Sequence, residues 1–181
     1  MKMKKLKLFL AVAIALPLLS MTITLIDLEE KYILNNIASI KIPTNFKELS
    51  KQEKIADYSA QQRPLVVFTN KEKTVFITFE INQRYQGVTQ DKLITIKDYY
   101  VELNNYFGKC IDSGIFENND QKYGFVKVEG LSKKTKKVYV IKFFSNINGH
   151  LLEGTFYCPE NEKTQWVDTA NKIMRSFTIK K

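Results

Sequence analysis

The chain has 181 residues, 44% hydrophobic and 26% charged, with only seven Gly and four Pro, a composition that excludes disorder and low-complexity scaffolds and fits one domain with a short appendage. Its formal net charge is +9, but Lys2, Lys4, Lys5 and Lys7 precede any acid, which leaves 24 basic against 19 acidic residues, a net of +5, for the remainder. Those remaining charges are scattered among Glu and Asp rather than gathered into a basic stripe, which argues against a nucleic-acid partner.

The first element is a basic start, Met1 to Lys7, followed by an almost unbroken apolar run from Leu8 to Ile26. That order is an export signal, and we assign residues 1–26 to a signal peptide or signal-anchor helix. The run is close to the ~20 residues that cross a bilayer. Small residues at Ala11, Ala13 and Ala15 fall early, and Leu18 two places before Ser20 makes a poor cleavage site. Both fates stay open: a retained anchor in the cytoplasmic membrane, or a secreted or periplasmic product. The lysines before the span place Asp27 onward outside. A lipoprotein is not expected, because the only cysteines are Cys110 and Cys158 and neither follows the apolar run.

Residues 27–36 read as a linker or short helical lead-in, and 37–181 as the folded domain. Ile37 to Ile42 is a short strand ended by Pro43. Ser50-Lys51-Gln52-Glu53 is a capping box opening a short helix, which Pro64 keeps from continuing. Leu65–Thr69 and Thr74–Asn82 form a hairpin across the polar turn Asn70–Lys73. Val75, Ile77, Phe79 and Ile81 share one face of the second strand, the alternation of a sheet with one buried side. The longest helix is expected from about Thr89 to Phe107, with Leu93, Ile96, Tyr100, Leu103 and Phe107 as a single apolar stripe.

Four strands follow, near Cys110–Phe116, Gln121–Glu129, Lys136–Ser145 and Leu151–Cys158. Asn148-Gly149 between the last two suits a type I′ turn. Pro159, Glu160 and Glu162 then begin a helix whose buried stripe is Trp166, Ala170, Ile173 and Phe177. Adjacent strands joined by tight turns imply an antiparallel sheet rather than βαβ units. The expected fold is therefore α+β: an antiparallel sheet flanked by helices, an α/β/α sandwich, preceded by the N-terminal hydrophobic helix.

Catalytic chemistry finds no support. The single histidine, His150, sits beside a hairpin turn, and there is no H-E-x-x-H, C-x-x-C or Gly-rich phosphate loop. Glu117-Asn118-Asn119-Asp120 offers oxygen ligands but lacks the pattern of a Ca²⁺ loop and reads as a polar turn. No catalytic residue, metal or cofactor is assigned. Cys110 and Cys158 are a candidate disulfide closing a loop of 48 residues, worth about 3–4 kcal/mol in the chain-entropy model, or else two buried thiols. Lys133, Lys134, Lys136 and Lys137 form the densest basic cluster: a solvated hairpin tip, or a contact to an anionic surface at about 1 kcal/mol each.

Several short motifs carry a resemblance. The front half is Ile40-Lys41-Ile42-Pro43 with Phe46, Glu48-Leu49-Ser50, Arg63-Pro64, Val67-Phe68-Thr69-Asn70 and Thr74-Val75-Phe76-Ile77-Thr78-Phe79. The closing half is Asn148-Gly149, Gly154-Thr155-Phe156, Trp166 and Ile173-Met174-Arg175-Ser176-Phe177. Together they resemble the PsbP-like/DcrB-like family of small α+β envelope or accessory proteins, over most of residues 37–178. The resemblance implies an antiparallel sheet flanked by helices, a role in binding without chemistry of its own, and a structural role for Arg63. The lipid-bearing Cys of DcrB-type members is absent here, and nothing suggests a photosystem partner. Two functions are carried forward. One is an exported or membrane-anchored accessory protein docking onto an envelope protein. The other is a small-molecule or lipid carrier with a cleft lined by Tyr99, Tyr100, Tyr106 and Phe107.

Overall fold

The computed structural model describes residues 26–106, 108–131 and 136–180. The segment expected to direct export lies outside them apart from Ile26, and no helix among the described residues is long and apolar enough to cross a membrane.

The chain opens with a strand where a linker was expected. β1 (Leu28–Ile33) pairs antiparallel with β2 (Ala38–Pro43) from Leu28↔Pro43 to Ile33↔Ala38. Their connection places Leu34, Asn35 and Asn36 at φ of 53°, 56° and 65°. Asn tolerates this left-handed region well; Leu does so only under tertiary constraint. β1 hid in the sequence because it is an edge strand whose Glu and Lys face water, so it has no apolar alternation to betray it.

β3 (Lys47–Glu48) leads into α1 (Lys51–Asp57), where the capping box forms as expected. The Glu53 N–H donates to Ser50 Oγ at 3.3 Å, and Glu53 Oε2 accepts the Ser50 N–H at 2.9 Å. β4 (Val66–Thr69) and β5 (Phe76–Gln86) form the expected hairpin. α2 (Leu93–Asn105) begins later than its periodicity suggested. The residues before it are tied to the sheet instead: the Val88 N–H donates to Gly149 O at 2.9 Å and the Lys122 N–H to Gln90 Oε1 at 2.6 Å.

The meander follows as β6 (Gly108–Asn118), β7 (Gln121–Leu131), β8 (Lys137–Ile147) and β9 (His150–Pro159). Asn148 and Gly149 both take positive φ, at 49° and 80°, as a type I′ turn requires. α3 (Lys163–Ser176) and the short β10 (Thr178–Ile179) close the chain.

Two sheets result, one of three strands in the order β1-β2-β10 and one of seven in the order β3-β4-β5-β9-β8-β7-β6. One face of the larger sheet packs against α3 and the smaller sheet through Phe79, Phe143, Phe156, Trp166, Ile173 and Phe177. The other face carries α2 over Val126, Val128, Phe144 and Leu151. This is the expected sheet with helices on both sides. Gly154 belongs to the first face by necessity: a Cβ there would sit 2.2 Å from the buried Phe143 ring lying across it.

Candidate binding surfaces

The α2 face contains the one buried acid of the described residues. Glu153, on β9, is 1% exposed. Lys142 of β8 and the Tyr100 hydroxyl of α2 both bond to it at short range, and Asn82 Nδ2 of β5 donates to Oε1 at 2.6 Å. The Lys142 ammonium also lies 5.0 Å from the Tyr100 ring centre. Burial pushes the Glu153 carboxyl up, but the Lys142 charge and the donors from Lys142, Tyr100 and Asn82 outweigh it, so it is held below the usual carboxylate range. Burial, and then the Glu153 charge, push the Tyr100 hydroxyl up. The quartet ties α2 to three strands, and Asn82 Oδ1 also accepts the Arg84 N–H at 3.1 Å.

Of the tyrosines proposed to line a cleft, Tyr100 is buried, whereas Tyr99 and Tyr106 are 50% and 76% exposed, and the Tyr99 and Tyr100 ring centres lie 5.9 Å apart; Phe107 lies outside the described residues. Ile94 on α2 and Ile111 on β6 are also exposed, at 56% and 37%. α2 and the edge strand it leads into therefore show water a set of large apolar side chains.

Cys110 and Cys158 are free thiols, the second of the two readings left open for them, with Cys158 buried and Cys110 half-buried. β7 and β8 lie between their strands, three inter-strand spacings or about 14 Å, against the 4.4–6.8 Å between Cα atoms that a disulfide needs. They also point to opposite faces, Cys158 into the α3 core and Cys110 against the α2 cluster. Burial, with the Glu162 charge behind it, pushes the Cys158 thiol up to about 12.

Of the basic hairpin, Lys133 and Lys134 lie outside the described residues. Lys136 and Lys137 are exposed, and Lys137 faces Glu160 at 3.6 Å. This tip stands at the end of the sheet where α3 begins. A second cationic region, unmarked in the sequence, lies where α3 ends. There a shallow cleft of about 450 Å³ is lined by Ile26, Asp27 and Leu28, by Lys41 of β2, and by Lys172, Arg175 and Ser176 of α3. No sequence signal joins Lys41 to Ser176, 135 positions apart; only the fold does.

The remaining candidates are local. His150 is exposed at the start of β9. Asn119 and Asp120, at φ of 50° and 57°, form the tight turn between β6 and β7. No group of three or more metal-ligating side chains exists among the described residues. Arg63 is half-buried, and its Nη2 donates to Tyr58 O at 3.4 Å.

No model of a protein family matches the sequence, and no curated protein matches it. Solved structures do. Cyanobacterial PsbP (CyanoP) from Synechocystis sp. PCC 6803 superposes with a TM-score of 0.56 at 11% identity, over 88% of this chain and 96% of that one. The fold is PsbP-like. LpqN, involved in cell envelope biogenesis of Mycobacterium tuberculosis, superposes with a TM-score of 0.57 at 10% identity, over 85% of this chain and 92% of its own. At such identity the likeness is one of fold. The motifs behind the expected PsbP-like architecture fall where that architecture needs them: Ile40–Pro43 in β2, Gly154–Phe156 in β9 and Ile173–Phe177 at the close of α3.

Proposed function

We propose that this chain is an exported accessory domain of the cell envelope, one that docks onto a protein partner and performs no chemistry of its own. The observation that carries the reading is the exposed pair Tyr99 and Tyr106, seven residues apart and so on one face of α2, with Ile94 and Ile111 also exposed on α2 and β6. Large apolar side chains grouped on one element and its neighbour mark contact surfaces, and tyrosines are favoured anchors in such surfaces. The lysine-led apolar segment at the N-terminus supports an envelope location, and so does the envelope role of LpqN. The Lys142–Glu153–Tyr100 network supports that reading, since its three ionisable groups bond to one another through Glu153 and hold α2 to the sheet.

The test is affinity isolation of the full-length tagged protein from mild-detergent envelope extracts, beside a Tyr99→Ser/Tyr106→Ser variant. Both positions are exposed, and surface substitutions of this kind shift stability by only about 0.5 kcal/mol. A stoichiometric protein recovered with the parent and lost with the variant is expected. The same proteins recovered with both, or none with either, would overturn the reading.

A further inference from the structure

We propose that Lys41, Lys172 and Arg175 form a seat for a phosphate-bearing anion, placed where the domain meets its apolar N-terminal segment. This inference stands on residues separate from the α2 surface and does not rest on the docking reading. Two elements converge to build the seat. Ser176 Oγ, at the end of α3, accepts the Lys41 N–H at 2.9 Å and donates to Ile173 O at 2.7 Å, pinning β2 to the helix end and bringing Lys41 beside Lys172 and Arg175. The Arg175 guanidinium is held in place by aromatic faces, 4.7 Å from the Phe116 ring centre and 5.8 Å from that of Phe125. Stacking of this kind fixes the fork while leaving its N–H edges free to donate, the arrangement suited to phosphate oxygens.

Basic side chains outnumber acids in the cleft lining three to one, and outside the lining Glu30 stands opposite Lys41 across β1 and β2. Elsewhere in the described residues eight lysines each hold an acid within 4.0 Å, among them Lys47, Lys127 and Lys163. None of Lys41, Lys172 and Arg175 is in such a pair, and neither is Asp27, the only acid in the lining, so the cleft keeps an excess of two positive charges. Lys172 and Arg175 would also complement the negative end of the α3 dipole without any ligand. That role does not explain Lys41, which belongs to another element. Nor do the helix-end carbonyls depend on those cations, because Asn118 Nδ2 donates to Arg175 O at 3.4 Å and Phe177 O at 3.3 Å.

Position narrows the ligand. Ile26 and Leu28 line the same cleft, and the apolar run Leu8–Ile26 leads directly into it. Retained as an anchor, that run would bring a membrane within a few residues of the three cations, at about 3.3 Å of chain each. The basic hairpin lies toward the other end of β7, whose Phe125 underlies Arg175 six residues before Leu131, roughly 20 Å away and more than two Debye lengths off in physiological salt. The phosphate has two chemical sources, an anionic phospholipid headgroup or a free phosphate anion.

Isotope-labelled full-length protein in nanodiscs separates them by NMR, read at the backbone amides of Lys41, Lys172, Arg175 and Ser176. One arm compares phosphatidylcholine discs with discs containing phosphatidylglycerol; the other titrates inorganic phosphate into phosphatidylcholine discs. Saturable shifts of these amides are expected, weakened about fivefold by each of Lys41→Gln and Lys172→Gln and unchanged by Lys136→Gln/Lys137→Gln. A response to phosphatidylglycerol alone assigns the seat to a headgroup, and a response to phosphate assigns it to the soluble anion. No shift in either arm, or shifts unaltered by Lys41→Gln/Lys172→Gln, would overturn the proposal.

Discussion

The two faces of the seven-stranded sheet are closed by different physics. On the α3 face the buried contact is mainly apolar and aromatic, with the half-exposed Lys163–Glu129 pair at its rim: Phe177 alone lies within 5.3–5.6 Å of the rings of Phe79, Tyr123 and Phe143. On the α2 face a smaller apolar cluster is supplemented by the Lys142–Glu153 pair and its Tyr100 and Asn82 donors, and the helix keeps tyrosines exposed to water. The first face is a conventional core that supplies stability without further requirement. The second couples a helix to a sheet through charge, and its outer side shows Tyr99 and Tyr106 to water. Position of the helix, more than bulk stability, is what such a network secures.

The largest expected effect lies on the apolar face. Phe177→Ala removes the ring that joins three aromatic neighbours and should cost about 3–5 kcal/mol by denaturant unfolding. A loss under about 1 kcal/mol would mean that this face is not the tightly packed one.

Next comes the charged face. Lys142→Met leaves Glu153 buried without its counter-charge and should cost about 3 kcal/mol, while Lys142→Met/Glu153→Leu recovers most of that loss. The pair also carries a pH signature. The Glu153 carboxyl is depressed below its ordinary 4.5, so its contribution is present above that pH and is lost as pH falls through the lower folded value. Acid unfolding of the double variant should therefore be shallower than that of the parent. Equal acid sensitivity would remove the distinction between the faces.

The smallest effect is chemical. In the folded protein iodoacetamide should modify Cys110 and leave Cys158, whose thiol is buried and pushed up to about 12, unmodified until unfolding. A species resistant to alkylation at both cysteines and released by reductant would mean that they pair, which the separation of β6 and β9 forbids.

Much of this architecture was legible because its signals are local. The alternation through Val75, Ile77 and Phe79, the capping box at Ser50, the Asn148-Gly149 turn and the α3 stripe each depend on neighbours within a few residues. β1 was not legible, since its charged side chains show no period and its order comes from pairing with β2. The buried quartet was half-legible. A two-residue turn at Asn148-Gly149 sets Phe144 opposite Glu153 and Lys142 opposite Thr155, so Lys142 falls diagonal to Glu153. The signal was there: Lys142 and Glu153 each interrupt an apolar stretch of their strand. Reading it needed the register to be counted outward from the turn. The cationic cleft was not legible at all, because Lys41 and the α3 end meet only through the folded chain.

The most direct measurement of the central claim is photocrosslinking in living cells, with p-benzoylphenylalanine placed at position 106 on the α2 side or at position 48 on β3. Tyr106 and Glu48 are both exposed, and β3 is the opposite edge of the same sheet from β6. The docking reading predicts one discrete protein adduct from position 106 and none from position 48. No adduct from 106, or the same adducts from both, would contradict it.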